Sequence, residues 1–137
     1  MAGELFDVSR VPLSMVNEAG GLIFVSGHVP IDASGRLLSD GSIEDQADLV
    51  LRNINAALQT HGSCMEDVVK VNVFLARAER DFPAMNQVYA RHFAFSPRPA
   101  RSTMGVELAV DVLIEIEAIA VRGHAANVTP DREARGT

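Results

Sequence analysis

The chain has 137 residues, enough for one domain with a real core, because folding at this length removes roughly two-thirds of the unfolded surface from water. With 47% apolar and 22% charged residues the composition is globular; it excludes disorder and leaves no need for a metal or a disulfide to hold the fold. Eighteen acids stand against twelve bases, eleven Arg and the single Lys70, and the resulting charge of −6 gives no general attraction to nucleic acid or to an anionic membrane.

One cysteine, Cys64, excludes an internal disulfide and any multi-cysteine zinc site. The first residues are acidic where a signal peptide is basic, and no apolar run approaches the ~20 residues of a membrane helix. A cytoplasmic protein is the expectation.

The run Gly21–Gly27, apolar, β-branched and closed by glycine, predicts a buried strand. Turn chemistry follows at 33–36 and 39–42. Apolar residues at Ile43, Ala47, Val50, Leu51, Ile54, Ala57 and Leu58 predict a helix to His61, with Ser42 as N-cap and Gly62 at the C-terminal cap. From Val68 to Ala76 the pattern alternates as a strand, with Val69, Val71, Val73 and Leu75 on one face and Lys70, Asn72 and Phe74 on the other. A second helix is expected from about Asp81 to Ala94, capped by Asp81, with Pro83 in its first turn and Met85, Val88, Tyr89 and His92 or Phe93 as its inner stripe. Ser96-Pro97-Arg98-Pro99 ends it. Strands over Arg101–Glu107 and Val112–Val121 complete a domain of residues 1–123, and 124–137 are expected to form a mobile tail.

This order is α+β, and two helices can cover one face of such a sheet. The strands nevertheless carry apolar residues on both faces, Leu22 and Phe24 against Ile23 and Val25. An uncovered apolar face is a liability for a monomer, so an oligomer is expected.

Nucleotide-loop, dinucleotide-fingerprint, zinc-protease and nucleophile-elbow motifs are absent, and the four histidines lie far apart with no acid at ligand spacing, so no metal is expected. Two features carry chemistry. In Ile114-Glu115-Ile116-Glu117 the carboxylates share one strand face, which fits a solvated edge, a pair of interface acids, or a semi-buried carboxylate that orients water. In Arg98-Pro99-Ala100-Arg101-Ser102-Thr103 prolines stiffen the approach to a strand that begins with Arg. Alone this is a surface arginine; aimed into a cleft it is a bidentate holder of a carboxylate.

Taken in order, Phe24-Val25-Ser26-Gly27-His28-Val29-Pro30, the run Asp67–Leu75, Met85-Asn86-Gln87-Val88-Tyr89, Pro99–Thr103 and Ile114–Val121 resemble the RidA/YjgF family over Val11 to Gly123. The resemblance implies a chorismate-mutase-like mixed sheet with two helices on one face, a homotrimer with a central β-barrel, and clefts at the subunit interfaces. It further implies cofactor-free hydrolysis of small carboxylate-bearing enamines and imines, such as 2-aminoacrylate, to oxoacids and ammonia. Arg101 matches the carboxylate clamp and Glu115 the residue that positions water. Thr103 stands beside the clamp, and Asn86 and Ser26 match cleft-lining residues. Leu13 replaces a tyrosine that reaches into the site in RidA-type deaminases, and His28 replaces a common glutamine. Relatives with a Val-Pro-Leu-Ser-like start look like 2-aminomuconate deaminases, which act on a larger dicarboxylic enamine. The alternatives are a trimer that binds a small carboxylate without turning it over, and an endoribonuclease. The acidic charge and the lack of an aromatic-basic stripe argue against the last.

Overall fold

The computed structural model describes residues 3–131. Its centre is a five-stranded mixed sheet in the order β1-β2-β6-β3-β5. β1 (Val16–Ala19) and β2 (Leu22–His28) form a hairpin across Gly20-Gly21, whose φ angles of +58° and +81° give the left-handed geometry that a two-residue hairpin turn needs. The sequence reading found β2 and not β1, although the Gly-Gly pair was its signal. β6 (Ile114–Val121) lies antiparallel between β2 and β3 (Val68–Leu75), and β5 (Ala100–Gly105) runs parallel to β3 at the edge.

α1 (Ile43–Thr60) forms as its sequence demands. The Ser42 hydroxyl accepts the Asp45 amide at 3.1 Å, and Gly62 takes φ +70° just past the end. α2 starts earlier than expected, at Ala78, and runs to His92. Asp81 is therefore not its cap: it is buried inside the helix and holds Arg80 through two bonds of 2.7 and 3.0 Å. Pro83 accordingly falls beyond the first turn. The inner stripe is Met85, Val88 and Tyr89, closed by Phe93, while half-buried His92 turns aside to Asp48 of α1 at 2.7 Å.

Both helices pack on one face of the sheet, against Ile23, Val25, Val71, Val73, Ile114, Ile116, Ala118 and Ala120. β3 departs from strict alternation. A register shift against β6 between Val68 and Lys70 buries Val68, and Val69 is displaced from the core face that simple alternation assigned to it. The opposite sheet face is open; Leu22 and Phe24 lie on it, 37% and 41% exposed, beside Lys70, Asn72 and Glu117.

The structured chain continues beyond 123. After a short 3-10 turn at His124–Asn127, β7 (Thr129–Pro130) pairs with β4 (Phe95–Ser96). Buried Asp67 accepts the Ala125 amide at 2.8 Å, and Arg98 pairs with Asp131 at 2.8 Å. The expected tail is thus tied to the domain as far as 131, and its remainder, 132–137, lies outside the described residues.

Gln46 connects the helix layer to the approach to β6. Fully buried, it donates to the Gly41 carbonyl at 2.9 Å and accepts the Leu113 amide at 2.8 Å. Gln46→Ala leaves both backbone groups unpaired in the interior. Urea unfolding is expected to show a loss of about 2–4 kcal/mol, and a loss below that of an ordinary surface substitution would contradict this role.

Candidate active site

The register of the sheet divides the expected site residues into two groups. Arg101 and Thr103 align with Val71 and Val73, and so point to the helix-covered face. There α2 offers Phe82, Asn86 and Tyr89, spaced i, i+4, i+7 and therefore on one helix face. Arg101 donates from Nη2 to Asn86 Oδ1 at 2.7 Å, and its guanidinium lies 4.6 Å from the Tyr89 ring centroid and 5.8 Å from that of Phe82. Such a setting holds a planar cation by its face and one edge while other N–H groups stay available. Among the described residues no carboxylate pairs with Arg101. The Thr103 hydroxyl and the Tyr89 phenol are buried without a hydrogen-bond partner among the described residues. Burial pushes the Tyr89 phenol up to about 12, against the pull of Arg101 and Arg98, so it stays protonated.

Glu115 aligns with Phe74 and Glu117 with Asn72, which puts both carboxylates on the open face, as period-two alternation requires. Their environments differ. Glu117 accepts the Asn72 amide at 2.9 Å. Glu115 has no hydrogen-bond partner among the described residues, and it is held above the usual carboxylate range first by burial and then by the Glu117 charge. It lies in a cavity of about 460 Å³ at the end of the sheet, together with Leu13, Gly27 and His28. Gly27 belongs to the β2 irregularity opposite β6. A Cβ there would come within 2.5 Å of the Glu115 carboxylate, so glycine is what lets the acid lie against the strand.

His28 is buried and gives its Nδ1–H to the Ser26 carbonyl at 2.7 Å, since a carbonyl can only accept. Desolvation lowers its pKa despite that bond, and the ring is neutral at physiological pH. Ser26 does not line the Glu115 cavity. It borders the hollow on the open face, where its hydroxyl donates to the Ser14 carbonyl at 2.6 Å and its amide to Met15 at 2.9 Å. Ser26 therefore pins the segment that carries Leu13. Cys64 lies elsewhere, and burial and neighbouring Asp67 raise its thiol, which suits an inert cysteine.

One chain thus brings together Arg101, Asn86 and Thr103 on one side of the sheet, and Glu115 and Leu13 on the other, with β3 between β5 and β6. The sequence reading missed Phe82 and Tyr89 as the platform under Arg101, although their helical spacing with Asn86 was the available signal. It also missed Gly27 as the close-approach glycine.

The structure is an α+β sheet with two helices on one face, with an arginine on its edge strand and a glutamate on its open face that pair with no opposite charge among the described residues. The chain belongs to the RidA/YjgF family: the family model described as Endoribonuclease L-PSP matches residues 8–122. It is 45% identical over 112 residues to a RutC family protein of Pyrococcus horikoshii, covering 81% of this chain and 87% of that one. It is 40% identical over 111 residues to a protein of Dermatophagoides farinae named 2-iminobutanoate/2-iminopropanoate deaminase, covering 80% and 85%. The solved structure of a Thermotoga maritima protein superimposes with a TM-score of 0.77 at 43% identity, covering 83% of this chain and 89% of the other.

The raised Glu115 pKa makes a testable linkage. The folded chain holds this proton to higher pH than the unfolded chain, so the group favours folding most below its unfolded pKa and loses that contribution as pH rises through the raised value. Glu115→Gln does not titrate. Ligand-free, the variant is expected to gain stability relative to the unsubstituted chain as pH rises from about 4 to about 7, read from urea midpoints. A gap that stays constant or moves the other way would refute the desolvated carboxylate.

Proposed function

We propose that the chain is a cofactor-free imine and enamine deaminase whose clefts are completed by a second copy of itself. The observation that carries this reading is the pair of unsatisfied charges. Among the described residues Arg101, held by an amide and two rings, has no anion, and Glu115, desolvated, has no donor. They lie on opposite faces of one sheet, so a single chain cannot direct both at one small molecule. Packing of the open face, with Leu22 and Phe24, against neighbouring copies would join an Arg101 edge to a Glu115 cavity. A homotrimer with a central barrel suits this arrangement, and the deaminase named among the relatives supports the chemistry.

In that cleft Arg101 takes the substrate carboxylate in a bidentate pair, and the Thr103 hydroxyl finds the partner it lacks. An enamine first tautomerises to its imine. Glu115 then accepts a proton from a water molecule as the water oxygen bonds to the imine carbon, and returns it to the nitrogen, giving a carbinolamine. Glu115 next takes the carbinol hydroxyl proton and passes it to that nitrogen as the C–N bond breaks and the carbonyl forms, so that ammonia and a 2-oxoacid leave. A carboxylate with a raised pKa is better matched to both transfers near neutral pH than an exposed one. Holding the acid and water in register supplies the rest of the acceleration. Endoribonuclease, the description carried by the family model, draws no support from a chain of charge −6.

The test is complementation. Arg101→Ala and Glu115→Gln are each expected to lose at least about a hundredfold in ammonia release from an enamine generated in situ. Mixed in equal amounts, unfolded and refolded together, they are expected to recover about a quarter of the unsubstituted activity. Each cleft draws its arginine and its glutamate from different chains, and each comes intact with even odds. Light scattering is expected to give three times the 14.7 kDa chain mass. Full activity in either single variant, or no recovery on mixing, would overturn the proposal.

A further inference from the structure

The cavity that holds Glu115 has walls that speak to substrate class. Its lining is mostly apolar, with Phe6, Val11, Leu13, Met15, Val29 and Val110 among it, and no lysine or arginine is among its described lining residues. Its polar groups are largely committed. The Asn53 amide donates to the Ile31 carbonyl at 2.9 Å, and His28 is a neutral ring whose one N–H is bound to Ser26. Glu115 is the one charge, and it is an acid. At about 460 Å³ the cavity falls within the range of small-molecule sites and is several times the size of a three-carbon imine.

Resting on the deaminase reading above, we infer that the preferred substrates are imino acids with a bulky apolar side chain, of the kind derived from branched-chain or aromatic amino acids, and that Leu13 determines this preference. If Arg101 of a neighbouring copy takes the common carboxylate and Glu115 faces the imine carbon, the side chain is directed along the apolar wall. A second carboxylate would there meet hydrocarbon and the Glu115 charge with no cation to receive it, at a heavy desolvation cost. A dicarboxylic substrate, the expectation drawn from 2-aminomuconate deaminases, is therefore disfavoured. Leu13 is well placed to set the limit because Ser26 ties down the two residues that follow it: Oγ to the Ser14 carbonyl at 2.6 Å and the amide to the Met15 carbonyl at 2.9 Å. A tyrosine at 13 would bring a ring and a hydroxyl into the space that the side chain uses.

Imines released in situ by amino-acid oxidases from alanine, leucine, phenylalanine and glutamate provide the test, with 2-oxoacid formation as the readout. The leucine or phenylalanine imine is expected to exceed the alanine imine in kcat/KM by at least about tenfold, and the glutamate imine to be the poorest. Leu13→Tyr is expected to lower the leucine-to-alanine ratio at least about fivefold, and Leu13→Arg to raise the glutamate-to-leucine ratio. Calorimetry with the corresponding 2-oxoacids is expected to show the same order of affinity, independently of turnover. Failure to accelerate any imine would remove the deaminase reading, while the calorimetric order would still judge the cavity. Active deamination with equal rates on alanine and leucine imines, or with glutamate imine preferred, would overturn this inference and leave that reading standing.

Discussion

A β-strand sends consecutive side chains to opposite faces, and in β6 this constraint decides both the core and the chemistry. Ile114, Ile116, Ala118 and Ala120 fill the space beneath the helices, so Glu115 and Glu117 must point away from them. Two helices suffice for one face only. The molecule therefore keeps an apolar core on one side and, on the other, a surface that mixes Leu22 and Phe24 with acids, an amide and a lysine. The register of β5 against β3 then fixes Arg101 on the helix side. The separation of the two charged groups is not an accident of side-chain rotamers; it follows from strand pairing, and no local rearrangement of a single chain removes it.

The two halves are stabilised by different means. Arg101 rests on regular structure, with Phe82, Asn86 and Tyr89 presented by successive turns of α2, so its platform is as rigid as the core that Tyr89 shares with Phe93 at a ring distance of 4.4 Å. The Glu115 cavity is built mainly from loops and element ends, among them the short 3-10 turn at Val8–Arg10, residues 11–15, the end of β2 with residues 29–31, and residues 109–110. Those segments depend on discrete polar ties: Ser26 to the 14–15 backbone, Asn53 to Ile31, and Gln46 to Gly41 and Leu113. Each tie satisfies a backbone group that would otherwise lie unpaired near the interior. The cavity's shape is in this sense a by-product of hydrogen-bond satisfaction in the loops around it.

Much of this was legible in the order of residues. α1 was readable almost to the residue because Ser42 and Gly62 mark its ends by local chemistry. The shared face of Glu115 and Glu117 followed from period two alone, and the family resemblance placed Thr103 beside Arg101 and gave Asn86, with Ser26, as cleft-lining residues. What was not legible depended on partners distant in sequence. The displacement of Val69 is set by its register against Ala120 and Ile119, and the docking of 124–131 by Asp67, Phe95 and Arg98. The start of α2 was misplaced because Asp81 resembles a cap; its actual role, buried and paired with Arg80, cannot be inferred without the packing around it. The cavity was invisible for the same reason, since its walls come from segments with no periodic signal.

Stable folds leave few buried polar groups unpaired, and this one satisfies Gln46, Ser63 and Asp67 with short bonds. Against that background the exceptions are informative. Among the described residues the Thr103 hydroxyl and the Tyr89 phenol lack a partner, Arg101 lacks an anion and Glu115 lacks a donor; of these, Thr103, Arg101 and Glu115 are residues that the family resemblance assigns to the cleft. Burial of the Thr103 hydroxyl without a partner and desolvation of the Glu115 carboxylate each cost folding free energy in the free chain. On the proposed deaminase reading, the substrate carboxylate supplies the anion that Arg101 lacks and a water or protonated nitrogen the donor that Glu115 lacks. On the same reading the apolar wall beyond Glu115 adds a further requirement, that whatever lies between the two charges carries hydrocarbon away from them.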